Sequence, residues 1–170
     1  AFCILFAEGA MADWSAVYLH DVSHAGEGKA AIGYAAFSVM MALGRTVGDR
    51  LVARFGAGRV VRVGGVAAAL GIALALRDPR PVMVAIGFGA IGAGLASSFP
   101  SVLSAASRVP GVPAGAGIAL ASTVGYTGFL SGPPLIGFVA QATDLRGGLA
   151  VVALSALLVA WLAGSVAERA

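Results

Sequence analysis

Apolar residues run along the chain in six long blocks, and short polar clusters separate them. The first block is about Ala1 to Leu19, and a polar turn through Asp21, His24, Glu27 and Lys29 follows it. The second is about Ala30 to Leu43, extended by Gly44 and its neighbours, and the third about Val60 to Leu76. After the turn Arg77-Asp78-Pro79-Arg80-Pro81 comes the fourth, about Val82 to Ser104. A loop with Arg108, Pro110, Gly111 and Pro113 leads to the fifth, about Ala114 to Ala140. The sixth is about Gly147 to Ala167, beyond Asp144 and Arg146 and before Glu168 and Arg169. Each block is near the ~20 residues that a helix needs to cross the hydrocarbon core. The blocks do not alternate polar with apolar, as spanning strands must. Helices satisfy their own backbone hydrogen bonds and suit runs of this length. The pattern predicts an all-α integral membrane protein with six transmembrane helices.

Composition supports that class. Apolar residues make up 59% of the chain and charged residues 11%, against about 25% charged in a soluble domain. Mean hydropathy is +0.92. The net charge of +3 comes from bases clustered between apolar blocks, which points to orientation in a bilayer and away from nucleic acid. The single cysteine, Cys3, excludes an internal disulfide and a cysteine metal site. The chain opens inside an apolar block without Met or a basic leader, as expected of a piece of a longer protein.

The stretch GRTVGDRLVARFG, Gly44 to Gly56, is expected to be a tight charged turn joining the second and third spans. Arg45, Arg50, Arg54, Arg59 and Arg62 surround it. If the turn is cytoplasmic, Arg108 and Arg169 lie on the same side, while Lys29, Arg77, Arg80 and Arg146 lie outside. That asymmetry favours this orientation, with both ends of the segment in the cytoplasm. The chain divides at Pro79 to Pro81 into two three-helix units, 1–77 and 82–167, of opposite starting side. This is an inverted-topology pair, an architecture that transporters often have.

The central stretch resembles the loop motif of the major facilitator superfamily, roughly Gly-x-x-x-Asp-Arg-x-Gly-Arg-Arg. Asp49-Arg50 matches its centre, and Arg54, Phe55, Gly56 and Arg59 resemble its basic tail. Gly44 stands five residues before Asp49 where the motif has four. In the fifth block, Gly128, Gly132, Pro133 and Gly137 follow much of the family's Gly-x-x-x-Gly-Pro-x-x-Gly-Gly element. The first block, Glu8 to Leu19, looks like the seventh helix of bacterial facilitators related to fucose permeases and MosC proteins. The resemblance covers the whole chain, as the C-terminal half of a twelve-helix transporter. It implies an N-terminal six-helix half as partner, a small polar solute such as a sugar and the bacterial inner membrane as location, while Glu8, mid-helix without a base in this half, is expected to couple protons or to orient the solute. It implies no cofactor. It also implies that the first and fourth spans line a central cavity, and that Gly44, Asp49, Arg50 and Arg54 form a gating loop.

The residues themselves direct attention to Glu8 and Asp13, the two acids inside a span. An ionised acid at bilayer depth normally faces water, a partner or a functional path. At 100° per residue Glu8 shares a face with Met11, Ala12 and Ser15, while Asp13 sits about 140° away. With these block boundaries no Arg or Lys falls inside a span, so the countercharge is expected from the other half, a cation or a proton. Ser97, Ser98 and Ser101 in the fourth block offer hydroxyls to a solute. Gly87, Gly89, Gly92 and Gly94 there form a packing face. Thr123, Tyr126 and Thr127 form a polar stripe in the fifth block, and Gly132, Pro133 and Pro134 are expected to bend it. Trp14, Tyr18 and Trp161 are expected as anchors at the membrane interface. No glycine cluster follows a strand and no Gly-Lys-Ser/Thr is present, so phosphate-loop chemistry is excluded. Nucleophilic and metal constellations are absent too, which argues against an enzyme. A six-helix membrane scaffold without transport is the alternative, and it predicts that Glu8 and Asp13 are each paired statically with other groups.

Overall fold

The computed structural model describes residues 1–166, and these are helical with short connections. The expected end of the sixth span at Ala167, and Glu168 and Arg169, lie outside the described residues. Helix α1 is Phe2–Asp21, and a short α2, Glu27–Ala30, leads into α3, Ile32–Phe55. Helix α4 is Ala57–Arg77. The fourth span is divided into α5, Pro81–Leu95, and α6, Ser98–Ala106. Helix α7 is Ala114–Ala142, α8 is Leu145–Leu162, and a 3₁₀ turn, Ala163–Val166, follows. Five spans (α1, α2–α3, α4, α5–α6 and α8 with its 3₁₀ turn) are long and apolar enough to cross a bilayer. Helix α7, with 29 residues, has the length of a sixth, its apolarity diluted by glycines, prolines and hydroxyls.

The helix ends follow from local chemistry. Gly56 has φ +79°, a left-handed value that glycine adopts without strain, and it ends α3 while opening α4. Pro81 occupies the first turn of α5, where its missing N–H costs nothing. Just before it, the Arg80 Nε donates to Asp78 Oδ1 at 2.9 Å, which holds the Asp78 carboxyl below its ordinary value. The Asp144 carboxylate caps α8 by accepting the Gly147 N–H at 2.7 Å.

One boundary corrects the sequence reading. Gly44 to Gly56 is not a tight turn between spans. Helix α3 continues through it to Phe55, so Arg45, Asp49, Arg50 and Arg54 are helical residues. Glycines at 44 and 48 weaken a helix by only about 1 kcal/mol each, which packing overrides, whereas the left-handed Gly56 stops it. The split in the fourth span has a comparable local cause. Pro100 supplies no N–H to the Ala96 carbonyl, and its ring crowds that carbonyl. The regular helix accordingly lapses at Ala96 and Ser97.

The spans pair across the two halves of the segment more than within them. The most extensive contacts are α4 with α5, α3 with α5, α1 with α7, and α4 with α8. Small residues permit the close approaches. Gly92 of α5 lies against the Phe37 backbone of α3, and Gly94 of α5 against Gly64 of α4. In a bilayer such contacts replace the hydrophobic effect as the cohesive term between helices. Inside the bundle lie Phe6, Met11, Leu19, Ile72, Phe88, Ile91, Ile136 and Leu149, all essentially inaccessible.

Candidate functional site

The unbroken α3 changes the electrostatics of the bundle. Glu8 Oε1 on α1 lies 3.6 Å from Arg45 Nη2 on α3. The expectation that no base enters a span is therefore corrected: Arg45 is inside α3 and faces the acid. Glu8 and Arg45 are equally far from the Asp21 and Ile32 ends of their antiparallel helices, about 20 Å of helical rise. That shared depth brings them together. A lone charge at the centre of a span costs about 2.5–3.5 kcal/mol on the insertion scale. Pairing offsets part of that cost for each.

The pair is not closed. The Glu8 side chain is 16% exposed and Arg45 is 53% exposed. Oε1 of Glu8 is buried and accepts no hydrogen bond among the described residues. Arg45 Nη2 also contacts the Met41 sulfur at 3.3 Å. Ion-pair distance without a hydrogen bond leaves donor and acceptor capacity on both groups.

Asp13 is exposed on another face of α1, away from Glu8. Ser15 is fully buried below Glu8, with an unpartnered hydroxyl. In the fourth span, the Ser101 hydroxyl donates to the Ser97 carbonyl at 2.7 Å. Ser98 is buried and its hydroxyl has no partner among the described residues. The Ala96–Ser97 break seats against α3 at Gly44 and Gly48. A Cβ at Gly44 would stand 2.6 Å from the Ala96 Cβ, and one at Gly48 would strike the Ser97 hydroxyl. Gly44 is thus a packing residue inside α3, one position from Arg45.

The polar stripe of α7 faces outward. Thr123 donates to the Ala119 carbonyl at 2.9 Å, Thr127 to the Thr123 carbonyl at 2.8 Å, and Tyr126 is 60% exposed. None of the three is hydrogen-bonded to Glu8 or Asp13. Helix α7 runs on through Gly132, Pro133 and Pro134. The prolines leave the Phe129 and Leu130 carbonyls without their usual donors four residues on. Asp49, Arg50 and Arg54, expected to form a gating loop, are exposed near the end of α3. The guanidinium of Arg54 stands 5.3 Å from the Phe55 ring centroid.

The aromatic expectation divides. Trp161, 76% exposed, remains on the outer surface of α8. Tyr18 is fully buried and donates to the Ala75 carbonyl at 3.0 Å, joining α1 to α4, so it is no interfacial anchor. A phenol near a span end can turn inward when a neighbouring helix offers a carbonyl, and Ala75, small and close to the end of α4, leaves room for it. Trp14 likewise donates across the bundle, to the Pro133 carbonyl at 3.1 Å.

Arg45 is the residue that sequence reasoning missed. The available signal was the lack of any stop between Leu43 and Gly56, together with its equal distance from the outer turn to that of Glu8.

A bundle of long apolar helices with one charge pair at depth defines a polytopic membrane protein. The chain belongs to the Major Facilitator Superfamily, whose family model matches residues 1–169. It is 38% identical over 165 residues to an uncharacterized MFS-type transporter of Yersinia pestis, covering 97% of this chain and 43% of that protein. It is 41% identical over 156 residues to an uncharacterized transporter of Sinorhizobium fredii, covering 92% and 41%. It is 33% identical over 160 residues to the membrane protein MosC of Rhizobium meliloti, covering 94% and 39%. The chain thus spans about two fifths of the length of these relatives.

Proposed function

We propose that this segment is the C-terminal half of a secondary transporter that moves a small polar solute by alternating access, coupled to protons through Glu8. The observation that carries the reading is the half-open Glu8–Arg45 pair at span depth. Protonation of Glu8 removes the attraction that holds Arg45, so the proton and the rearrangement of α1 against α3 are linked. Arg45 and the carboxylate then offer a donor and an acceptor to the solute in one state and bind each other in the other. A static scaffold would keep Glu8 in a closed pair, and it is supported less well because the Glu8–Arg45 contact is open and not hydrogen-bonded.

The same reading treats 1–77 and 82–167 as inverted repeats. A two-fold relation exchanging first with fourth, second with fifth and third with sixth spans turns the α1–α7 contact into the α5–α3 contact. It turns α4–α5 into α8–α1 and leaves α4–α8 unchanged. All of these contacts occur. The Gly56 turn is placed in the cytoplasm, the Asp21–Lys29 segment outside, and the protein in the bacterial inner membrane. Asp13, Ser15, Ser97, Ser98, Ser101, Thr123, Tyr126 and Thr127 are the further candidates for solute contact.

The experiment is counterflow and gradient-driven uptake of candidate solutes by the full-length protein in proteoliposomes. Glu8→Gln is expected to abolish accumulation under an imposed pH gradient while sparing exchange. Accumulation by Glu8→Gln at the wild-type level would remove Glu8 from the coupling mechanism.

A further inference from the structure

We propose that the open groove between α3 and α4 is a binding site for one anionic phospholipid of the leaflet beside the Gly56 turn. The proposal does not depend on which solute is carried.

Helices α3 and α4 are joined by a single turn yet splay apart, and α5 forms the floor between them. The space enclosed is about 870 Å³. Leu43, Val47 and Leu51 line one wall, Val63 the other, and Ala93 the floor. Along α3 the groove runs from Met40 to Phe55, about 22 Å of helical rise. One leaflet contributes about half of the ~30 Å hydrocarbon core. The groove therefore has the length of one acyl chain plus the glycerol and phosphate region above it. Its walls belong to helices long and apolar enough to span a membrane, and its lining is apolar apart from Thr46, Arg59 and Ser97, as a lipid chain requires.

The charge at its mouth selects the headgroup. Arg59 lines the groove beside Phe55. Arg54 lies three residues after Leu51 and seven after Val47, hence on the groove side of α3, and its guanidinium stacks by the Phe55 ring. The one acid of this stretch, Asp49, is two residues from both Val47 and Leu51, which puts it on the opposite side of the helix. Arg62 is directed elsewhere, toward Gly164 beyond α8. Two guanidiniums with no facing carboxylate among the described residues match a phosphodiester, which accepts paired N–H donors. A zwitterionic headgroup brings a compensating cation and gains less.

The test uses full-length transporter in proteoliposomes containing a trace of phosphatidylglycerol or phosphatidylcholine with a photoactivatable diazirine in the acyl chain. Cross-linked peptides are mapped by mass spectrometry. The phosphatidylglycerol probe should label α3 between Met40 and Leu51 and α4 between Val60 and Ala67 in preference to the phosphatidylcholine probe. The expected preference is about fivefold for each arginine engaged. Excess unlabelled phosphatidylglycerol should compete it away, and excess phosphatidylcholine should not. Arg54→Gln with Arg59→Gln should reduce groove labelling to the phosphatidylcholine level, with labelling of the exposed Leu154–Leu158 face of α8 unchanged. The competition measurement on the unmodified protein stands even if that variant folds poorly. Equal labelling by both probes would overturn the proposal and leave only annular lipid. Labelling of α8 with none in the groove would also overturn it, because another part of the transporter then covers the site.

Discussion

The indole N–H of Trp14 reaches across from α1 and donates to the carbonyl of Pro133, 3.1 Å away on α7. Two carbonyls of α7, those of Phe129 and Leu130, are short of backbone donors at this point, since Pro133 and Pro134 supply none. The Phe129 carbonyl, released by Pro133, lies against Gly9 of α1: a Cβ there would stand 2.5 Å from its oxygen. The proline pair and α1 therefore form one unit. The glycine lets the helices approach, and the tryptophan supplies a donor beside the interrupted ladder. This ties α1, which carries Glu8, to the helix whose hydrogen-bond ladder the proline pair interrupts.

A side chain at Gly9 should separate α1 from α7. Gly9→Val is expected to lower the yield of folded full-length protein in mild detergent severely, because the obstacle is backbone and cannot swing aside. Gly26→Ala, with open space around it, should be neutral. Trp14→Phe keeps the ring but loses the hydrogen bond, at a cost of about 1 kcal/mol. Thermal unfolding followed by size-exclusion chromatography ranks the three, and equal behaviour of Gly9→Val and Gly26→Ala would contradict the contact.

Glu8 and Arg45 should behave as a coupled pair. Arg45→Gln leaves the Glu8 carboxylate at depth without its countercharge, and Glu8→Gln leaves the guanidinium. Each single change should destabilise the protein more than the double change does. The coupling is on the order of 1 kcal/mol, limited by the solvent access of Arg45. A double-mutant cycle on thermal stability measures it. Additive single effects would show that the two groups do not interact in the membrane.

The spans were legible because their length and apolarity are set by the bilayer, and polar clusters mark their ends. Helix α3 was not, because hydropathy reports where lipid ends and not where a helix ends. Its last turns carry charge and still obey helical geometry up to Gly56. That same misreading hid Arg45, so Glu8 was recognised as the residue in need of a partner while the partner was counted as loop. The inward turn of Tyr18 depended on a carbonyl at Ala75, 57 positions away, which no local pattern encodes. Pro100 was in plain view, and its consequence at Ala96–Ser97 follows from the four-residue reach of a proline.

Topology can be read directly. In a Cys3→Ser background, a cysteine at Ala53, exposed near the end of α3, and one at Gly26, exposed before α2, should react oppositely with an impermeant maleimide in intact cells. Gly26→Cys is expected to label without lysis and Ala53→Cys only after it. The reverse pattern would invert the whole segment.

Asp49 should control turnover and not affinity. It is exposed in the last two turns of α3, one helical turn beyond Arg45, and forms no ion pair among the described residues. A partner on the other half of the transporter, present in one access state, would use it as a latch. Asp49→Asn is expected to slow transport severalfold while solute affinity, measured by equilibrium binding, stays within a few-fold. Normal turnover with lost binding would make Asp49 a solute ligand instead.

Ser98 separates structural from solute-binding hydroxyls in the fourth span. Its side chain is buried beside the Ala96–Ser97 break and its Oγ has no hydrogen-bond partner among the described residues. Burying an unsatisfied hydroxyl costs about 1–3 kcal/mol in protein interiors. If the hydroxyl serves nothing, Ser98→Ala should raise the melting temperature of the full-length protein and leave uptake unchanged. If it serves the solute when the span shifts about its break, the same substitution should raise the melting temperature and weaken solute binding. Ser101→Ala provides the contrast. Its hydroxyl already bonds the Ser97 carbonyl within the helix, so its loss is expected to change both quantities little. We expect weakened binding for Ser98→Ala, because the hydroxyl sits where Pro100 interrupts the fourth span. Unchanged uptake in Ser98→Ala, with Ser101→Ala as the damaging change, would shift the solute contact one helical turn along α6.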